Sequence, residues 1–183
     1  MKFSGYRRSD GRVGIRNKVL ILPASICASD VARIVSEQVQ GTVTLHNLLG
    51  CSQTPVDQAC TLHALAGMAA NPNVYGTIVI SLGCENCQMD LVTKEIQKRC
   101  DKPLGTFIIQ KCGGTLHTVE EAVRCARQMV SDASCMKRVE ADLSELMIAT
   151  ECGGSDPTSG LAANPLVGAV SDEVVKAGGT AVL

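Results

Sequence analysis

A chain of 183 residues is long enough for one domain with a full core. Seventeen basic against eighteen acidic residues leave a net charge of −1, without the basic footprint of a nucleic-acid binder. No apolar run reaches the roughly 18–20 residues of a membrane span. Ten cysteines and no secretory signal point to the reducing cytoplasm, where clustered thiols serve metals or catalysis rather than disulfides. Aromatics make up only 2% of a composition that is 45% hydrophobic, so the core must be built from Val, Ile, Leu, Ala and Met. That suits parallel strands covered by helices.

In chain order, an Arg/Gly-rich segment over 1–17 precedes a first strand near 18–25 and a helix near 28–40. A second strand near 42–47 leads to a helix at 55–71, which Asn71-Pro72-Asn73 breaks before a third strand near 77–83. A helix at 87–100, a strand at 104–110 and a helix at 116–133 follow. In the last of these Val119, Val123, Ala126 and Val130 share one face, with charges opposite. A strand near 145–150, a helix at 159–177 and a strand at 179–183 complete the pattern. The alternation predicts a single α/β domain over 1–183, a three-layer sandwich. Its sheet should be mostly parallel, Rossmann- or flavodoxin-like, with about five to six strands. The run from Gly178 to Leu183 stops within a strand pattern, so a fragment of a longer chain is expected.

Five cysteines sit just past predicted strand ends: Cys27, Cys51, Cys84, Cys112 and Cys152. In an open parallel sheet, ligands and catalytic groups gather outside the carboxyl ends of the strands, so these thiols suggest a metal or catalytic site. Cys60, Cys100, Cys125 and Cys135 fall within helices or at their ends and read as packing or surface residues. Leu49-Gly50-Cys51 recurs as Leu82-Gly83-Cys84, and Cys112-Gly113-Gly114-Thr115 as Cys152-Gly153-Gly154-Ser155. Each is a strand end, a glycine turn and a helix start that Thr or Ser could cap. With flavodoxin-like order, Cys27 and Cys84 flank the switch point. Cys51 and Cys84 would have one strand between them, roughly 10 Å, so only their loops could bring them together.

Residues 5–17 gather Arg7, Arg8, Arg12 and Arg16 around glycines, either as forks for a carboxylate or as a surface strap paired with nearby acids. Cys84-Glu85-Asn86-Cys87 has a C-x-x-C spacing open to zinc, an iron–sulfur cluster or redox chemistry, although no second pair completes a structural zinc site. In the segment 152–160, Ser155 and Asp156 either help form an anion site at a helix start or cap that helix. His46 and His117 map to the strand-end edge as candidate metal ligands or general bases, and His63 reads as structural.

RSDGRVGIRN at 8–17, HNLLGC at 46–51, LAGMAANPNV at 65–74, LGCENCQ at 82–88, QKCGGT at 110–115 and ECGGSDPTSGLAANPLVG at 151–168 occur in order. Together they resemble the altronate/galactarate dehydratase family, whose relatives include the large subunit of sulfolactate sulfo-lyase. The resemblance implies a cytoplasmic lyase that removes the proton α to a sugar-acid carboxylate and expels the β-hydroxyl, giving a 2-keto-3-deoxy product. It implies iron, as Fe2+ or an iron–sulfur cluster, on Cys51, Cys84 and Cys152, with Cys27 beneath the site. Glu85 and His46 would act as base or metal ligand, and Arg7, Asp10, Arg12, Arg16, Asn17, Ser155 and Asp156 would line the substrate site. Cys87 and Cys112 stand where typical members carry other residues. The family's small N-terminal domain is absent from 1–183 and is a separate polypeptide in sulfo-lyase-like members, an arrangement that a start at Met1 fits. The isolated chain is expected to be inactive and the enzyme homo-oligomeric. Other readings are a sulfolactate sulfo-lyase-type subunit, a non-catalytic assembly or metal-binding domain, and a thiol redox protein using Cys84 and Cys87.

Overall fold

The computed structural model describes residues 1–183. Its centre is a parallel sheet formed by β3 (Lys18–Pro23), β4 (Thr42–Thr44), β5 (Val74–Ser81) and β6 (Leu104–Ile108) in the order β4-β3-β5-β6. Leu20 stands opposite Thr77 and Ile78 opposite Gly105, in parallel register. Alternation along β3 and β5 sends Val19, Ile21, Ile78 and Ile80 to one face and Leu20, Leu22 and Val79 to the other. A strand buried on both faces must be apolar throughout, which is why KVLILP and the TIVI run carry no alternation of polarity.

Helices α1 (Ile26–Gln38) and α4 (Thr115–Ser134) cover the first face, and α2 (Pro55–Ala70) and α3 (Met89–Gln97) the second. Val31, Val35, Val123 and Ala126 are the apolar stripe on the α1–α4 side, with Val119 and Val130 at its margin. Thr54 caps α2 by accepting the Asp57 amide at 3.3 Å, and Pro55 occupies the first helical turn, where its missing N–H costs nothing. The three-layer sandwich is therefore present, with fewer strands in its sheet than five or six.

The remaining strands go elsewhere. β1 (Lys2–Arg7) pairs antiparallel with β2 (Val13–Gly14) and with β7 (Val139–Asp142), Lys2 standing opposite Asp142. This diverts the chain after α4 away from β6. Consequently β8 (Met147–Ala149) and β9 (Thr180–Val182) do not extend the main sheet but pair with each other, around a π-helical turn at Ser159–Ala163 and α5 (Asn164–Lys176). No helix is long and apolar enough to cross a membrane.

Candidate active site

The strand order reverses between β3 and β5, so the crevice outside their carboxyl ends is the switch point of the sheet. Three loops are tied together there. The 45–54 loop after β4 lies across the end of β3: Asn47 Nδ2 donates to the Pro23 carbonyl at 3.2 Å, and the Ile26 amide donates to the Leu49 carbonyl at 2.8 Å. The same loop reaches the end of β5, where the Asn86 amide donates to the Gly50 carbonyl at 2.8 Å. Gly50 is required on two counts: its φ is +137°, and a Cβ would stand 2.3 Å from Ser25 Cβ. Gly83 shares the left-handed backbone at +124°. The repeated Leu-Gly-Cys is thus a repeated turn, and it leaves Cys51 and Cys84 exposed.

Glu85 locks this knot. It is 2% exposed, and its carboxylate accepts the Leu82 amide at 2.9 Å, the Gly83 amide at 2.6 Å and the Ser25 hydroxyl at 3.4 Å. Burial, the largest influence, disfavours its charged form. Hydrogen bonds from its own amide and those of Gly83 and Leu82, with a contribution from Ser81, outweigh burial and hold the carboxyl below its usual range. The Ser81 hydroxyl has no partner of good hydrogen-bond geometry, so the amides dominate. A carboxylate stabilised as an anion is a weak base; this geometry suits holding the loops better than taking a proton. Ser25 stands at the N-cap of α1, yet its hydroxyl faces Glu85 and leaves the helix start without a side-chain cap.

His46 is exposed two residues beyond β4. Beside the knot, Ser81, Glu85, Asp90, Ile108 and Lys111 line a cleft of about 170 Å³. A larger hollow of about 670 Å³ runs along α4 past Glu120, Arg124 and Arg127 and contains none of the strand-end cysteines. Cys112 is half-buried beyond β6; His117, in the first turn of α4, places Nδ1 3.4 Å from Glu120. His63, on α2, lies 3.7 Å from Glu95. Thr115 does not cap α4, whose N-cap is Gly114 at φ +102°. Cys87 is fully buried, with Sγ 3.6 Å from Gln53 Oε1, and burial followed by the Glu85 charge pushes its thiol up. A redox pair needs an accessible thiol of depressed pKa, so the geometry disfavours the redox reading of Cys84 and Cys87.

The arginine-rich segment lies at the opposite edge. It enters before β3, so its contacts fall on the segments preceding β5 and β6 and following α4. Buried Arg8 donates to the Pro72 carbonyl at 2.7 Å and to the Arg16 carbonyl at 3.2 Å. Arg12 grips Asp10 at 2.6 and 2.9 Å and the Ala70 carbonyl at 2.9 Å. The Arg16 amide donates to Asn73 Oδ1 at 2.9 Å, and Asn17 Nδ2 to the Ala133 carbonyl at 2.7 Å. Arg7 forms a bidentate pair with Glu145 at 2.8 and 3.0 Å. Lys102 joins the cluster, donating to the carbonyls of Ala69 and Asn71, and burial lowers its pKa to about 8. At about 3.3 Å per residue, the six residues of β3 keep this edge about 20 Å from the cysteine-bearing one. Arg7, Asp10, Arg12, Arg16 and Asn17 therefore form a strap on this chain's own backbone and do not share one site with Cys51, Cys84 and His46.

Ser155, Asp156 and Cys152 lie beyond β8. Asp156 Oδ1 accepts the Thr158 amide at 2.6 Å and the Ser159 amide at 3.1 Å, a side-chain turn that precedes the π-helical turn, whose N-cap is Thr158. Cys152 Sγ is 3.9 Å from Ser155 Oγ. The hydrogen bonds of residues 147–183 stay within that unit and the 143–146 turn. No three His, Cys, Asp or Glu side chains stand together as donors for an ion. Cys51, Cys84 and Cys152 thus do not fit one metal site, because Cys152 belongs to a different unit. Cys27, expected beneath the site, is exposed in the first turn of α1.

Sequence reasoning missed Ser25, Asn47 and Asn86 as the ties between loops. The repeated Leu-Gly-Cys was the available signal for Gly50 and Gly83, because two identical turns after the ends of β4 and β5, the strands on either side of β3, ask for the same backbone.

The fold and crevice define a doubly wound α/β domain whose switch point carries an exposed thiol rim. Residues 5–134 match the family described as D-galactarate dehydratase/altronate hydrolase, second domain, and residues 143–183 match D-galactarate/altronate dehydratase, C-terminal. The chain belongs to the D-galactarate/altronate dehydratase family. It is 39% identical over 180 residues to the (2R)-sulfolactate sulfo-lyase subunit beta of Chromohalobacter salexigens, covering 98% of this chain and 45% of that one. It is 36% identical over 188 residues to the altronate dehydratase of Escherichia coli, covering 97% and 37%. For the galactarate dehydratase (L-threo-forming) of Escherichia coli the identity is 31% over 200 residues, covering 97% and 38%. The chain spans less than half the length of these relatives.

Proposed function

We propose that this chain supplies the switch-point part of a cytoplasmic lyase that eliminates water from an aldonate or aldarate, such as altronate or galactarate, to give a 2-keto-3-deoxy acid. The observation that carries the reading is the rim built by Gly50, Gly83 and Glu85, which lies inside the stretch matched to the family's second domain. Elimination requires a donor set for the substrate carboxylate, a base for the α-proton and a site closed to competing water. The α1 start has no side-chain cap, because Ser25 is turned to Glu85; of its first-turn amides, Ile26 donates to Leu49 and Ala28 to Ser25, and we assign the Cys27 amide as a donor to the carboxylate. We assign the proton to His46, the exposed imidazole on the loop that carries Cys51. Glu85 positions the loops and takes no proton in this scheme.

The 39% identity to a sulfolactate sulfo-lyase subunit favours a second reading, in which the same α-proton is removed and the group expelled from the β-carbon is sulfite. A small N-terminal domain or subunit and a homo-oligomeric assembly belong to both readings. The test is a 2-keto-acid assay of the full-length protein with altronate, galactarate and sulfolactate. One substrate should turn over, and His46→Gln should lower kcat by about 10²–10⁴-fold while the fold is retained. Absence of turnover with all three acids would overturn both readings.

A further inference from the structure

We infer that the cleft between the end of β5 and the start of α3 is a subsite for the neutral, polyhydroxylated tail of an aldonate, with Ser81, Asp90 and Lys111 as its specificity-determining residues. The inference rests on the proposed placement of the reacting end at the α1 start. Alternation along β5 sends Ile78 and Ile80 to the α1–α4 face and therefore Ser81 to the other, where α3 begins and Ile108 of β6 is its neighbour. Ser81 is 1% exposed and its hydroxyl has no hydrogen-bond partner, an unsatisfied group in the wall of the cleft of about 170 Å³. The start of α3 is open for bonding as well. No side chain caps this helix, and its first two amides, those of Met89 and Asp90, have no acceptor within the protein. The side chains of Asp90 and Lys111 complete the lining, and neither belongs to an ion pair.

Glu85 connects this cleft to the reacting end, because it lines the cleft and also holds Ser25 at the α1 start. β3 and β5 are neighbours in the sheet, about 4.8 Å apart, and an extended six-carbon acid is longer than that spacing. Each hydroxyl of such a tail both donates and accepts, and the cleft offers both: Asp90 accepts, Lys111 and the two amides donate, and Ser81 does either. Charge selects among the acids. Two carboxylates, Glu85 and Asp90, stand against one ammonium, so the second carboxylate of an aldarate meets net negative charge where the hydroxyls of an aldonate do not. A three-carbon acid is too short to pair these groups and gains nothing from them.

The experiment uses the full-length protein. Dissociation constants for altronate and galactarate are measured by calorimetry in the His46→Gln background, which limits turnover, and KM is measured with His46 in place. Altronate should bind more tightly than galactarate. Ser81→Ala should weaken altronate by about 2–10-fold, the effect of one neutral hydrogen bond, and Lys111→Gln by more. Asp90→Asn should weaken altronate and narrow its lead over galactarate. Arg124→Ala, in the hollow along α4, should change neither constant. Ser81→Ala removes a buried hydroxyl that bonds to nothing in the fold, so its melting temperature should hold or rise. A fall in melting temperature would assign that hydroxyl to the fold instead. Altronate binding unchanged in both Ser81→Ala and Lys111→Gln, or galactarate bound as tightly as altronate, would overturn the subsite. Failure of the lyase reading looks different: altronate then binds with these dependences and no 2-keto acid forms. If neither acid binds, both fall.

Discussion

Glu85 holds a charge at 2% exposure among neutral donors, an arrangement with a definite pH signature. Its pKa is lowered in the fold, so its contribution to stability is complete above the ordinary value of 4.5 and is lost as pH falls through the folded value. Glu85→Gln presents one oxygen where two were used and turns an NH2 group toward amide donors. It should cost about 1–3 kcal/mol in urea denaturation at neutral pH, and the gap to wild type should narrow on acidification. If the two proteins kept a constant difference down to acid pH, Glu85 would not be ionised in the fold. Gly50→Ala forces a Cβ against Ser25 at a positive φ, and overpacking alone should cost about 1–3 kcal/mol. Thiol labelling reads the same knot: Cys27, Cys51 and Cys84 should alkylate in the native protein and Cys87 only on unfolding, as mass spectrometry of the peptides would show.

Among elements, the parallel βα units were legible because each carries its own signal: an apolar run, a break such as Asn71-Pro72-Asn73, and an amphipathic stretch. The antiparallel sheet was not. β1 reads locally as a polar, arginine-bearing segment and β7 as VEAD, and each becomes a strand only because the other is there, far along the chain, with Lys2 opposite Asp142. The same blind spot misplaced the arginines. Sequence shows a cluster of forks but not which edge of the sheet they reach, and backbone carbonyls, invisible in a sequence, are their partners. Arg8→Leu strands the Pro72 and Arg16 carbonyls and should cost about 1.5–3 kcal/mol by thermal or urea denaturation. Arg16→Ala, at an exposed side chain, should stay within about 0.5 kcal/mol. If Arg16→Ala instead left stability alone and raised KM severalfold in the full-length enzyme, the strap would serve a substrate after all.

At the scale of the molecule, the chain divides into a sheet covered on both faces and a carboxyl-terminal pair that is not. Around β8, α5 and β9 only Val174 is buried, while Met147, Leu161, Leu166 and Val170 are exposed. Parallel strands are stable when both faces are covered. Hydrogen exchange on this chain should therefore show amides of 147–183 losing protection well before those of β3 and β5. Equal protection in the two regions would contradict the division.

The pairing of β1 with β7 also bears on how the protein is made. Strands of the main sheet neighbour one another closely in sequence, so that sheet is able to condense while synthesis continues. Tyr6 and Arg7 pair with β2 early, but residues 2–5 have no strand partner until residues 139–142 emerge, and joining them closes a loop of about 140 residues with few local contacts to prepare it. β1 is thus made well before the strand that seats it, and a substitution in either strand acts on a late step of assembly.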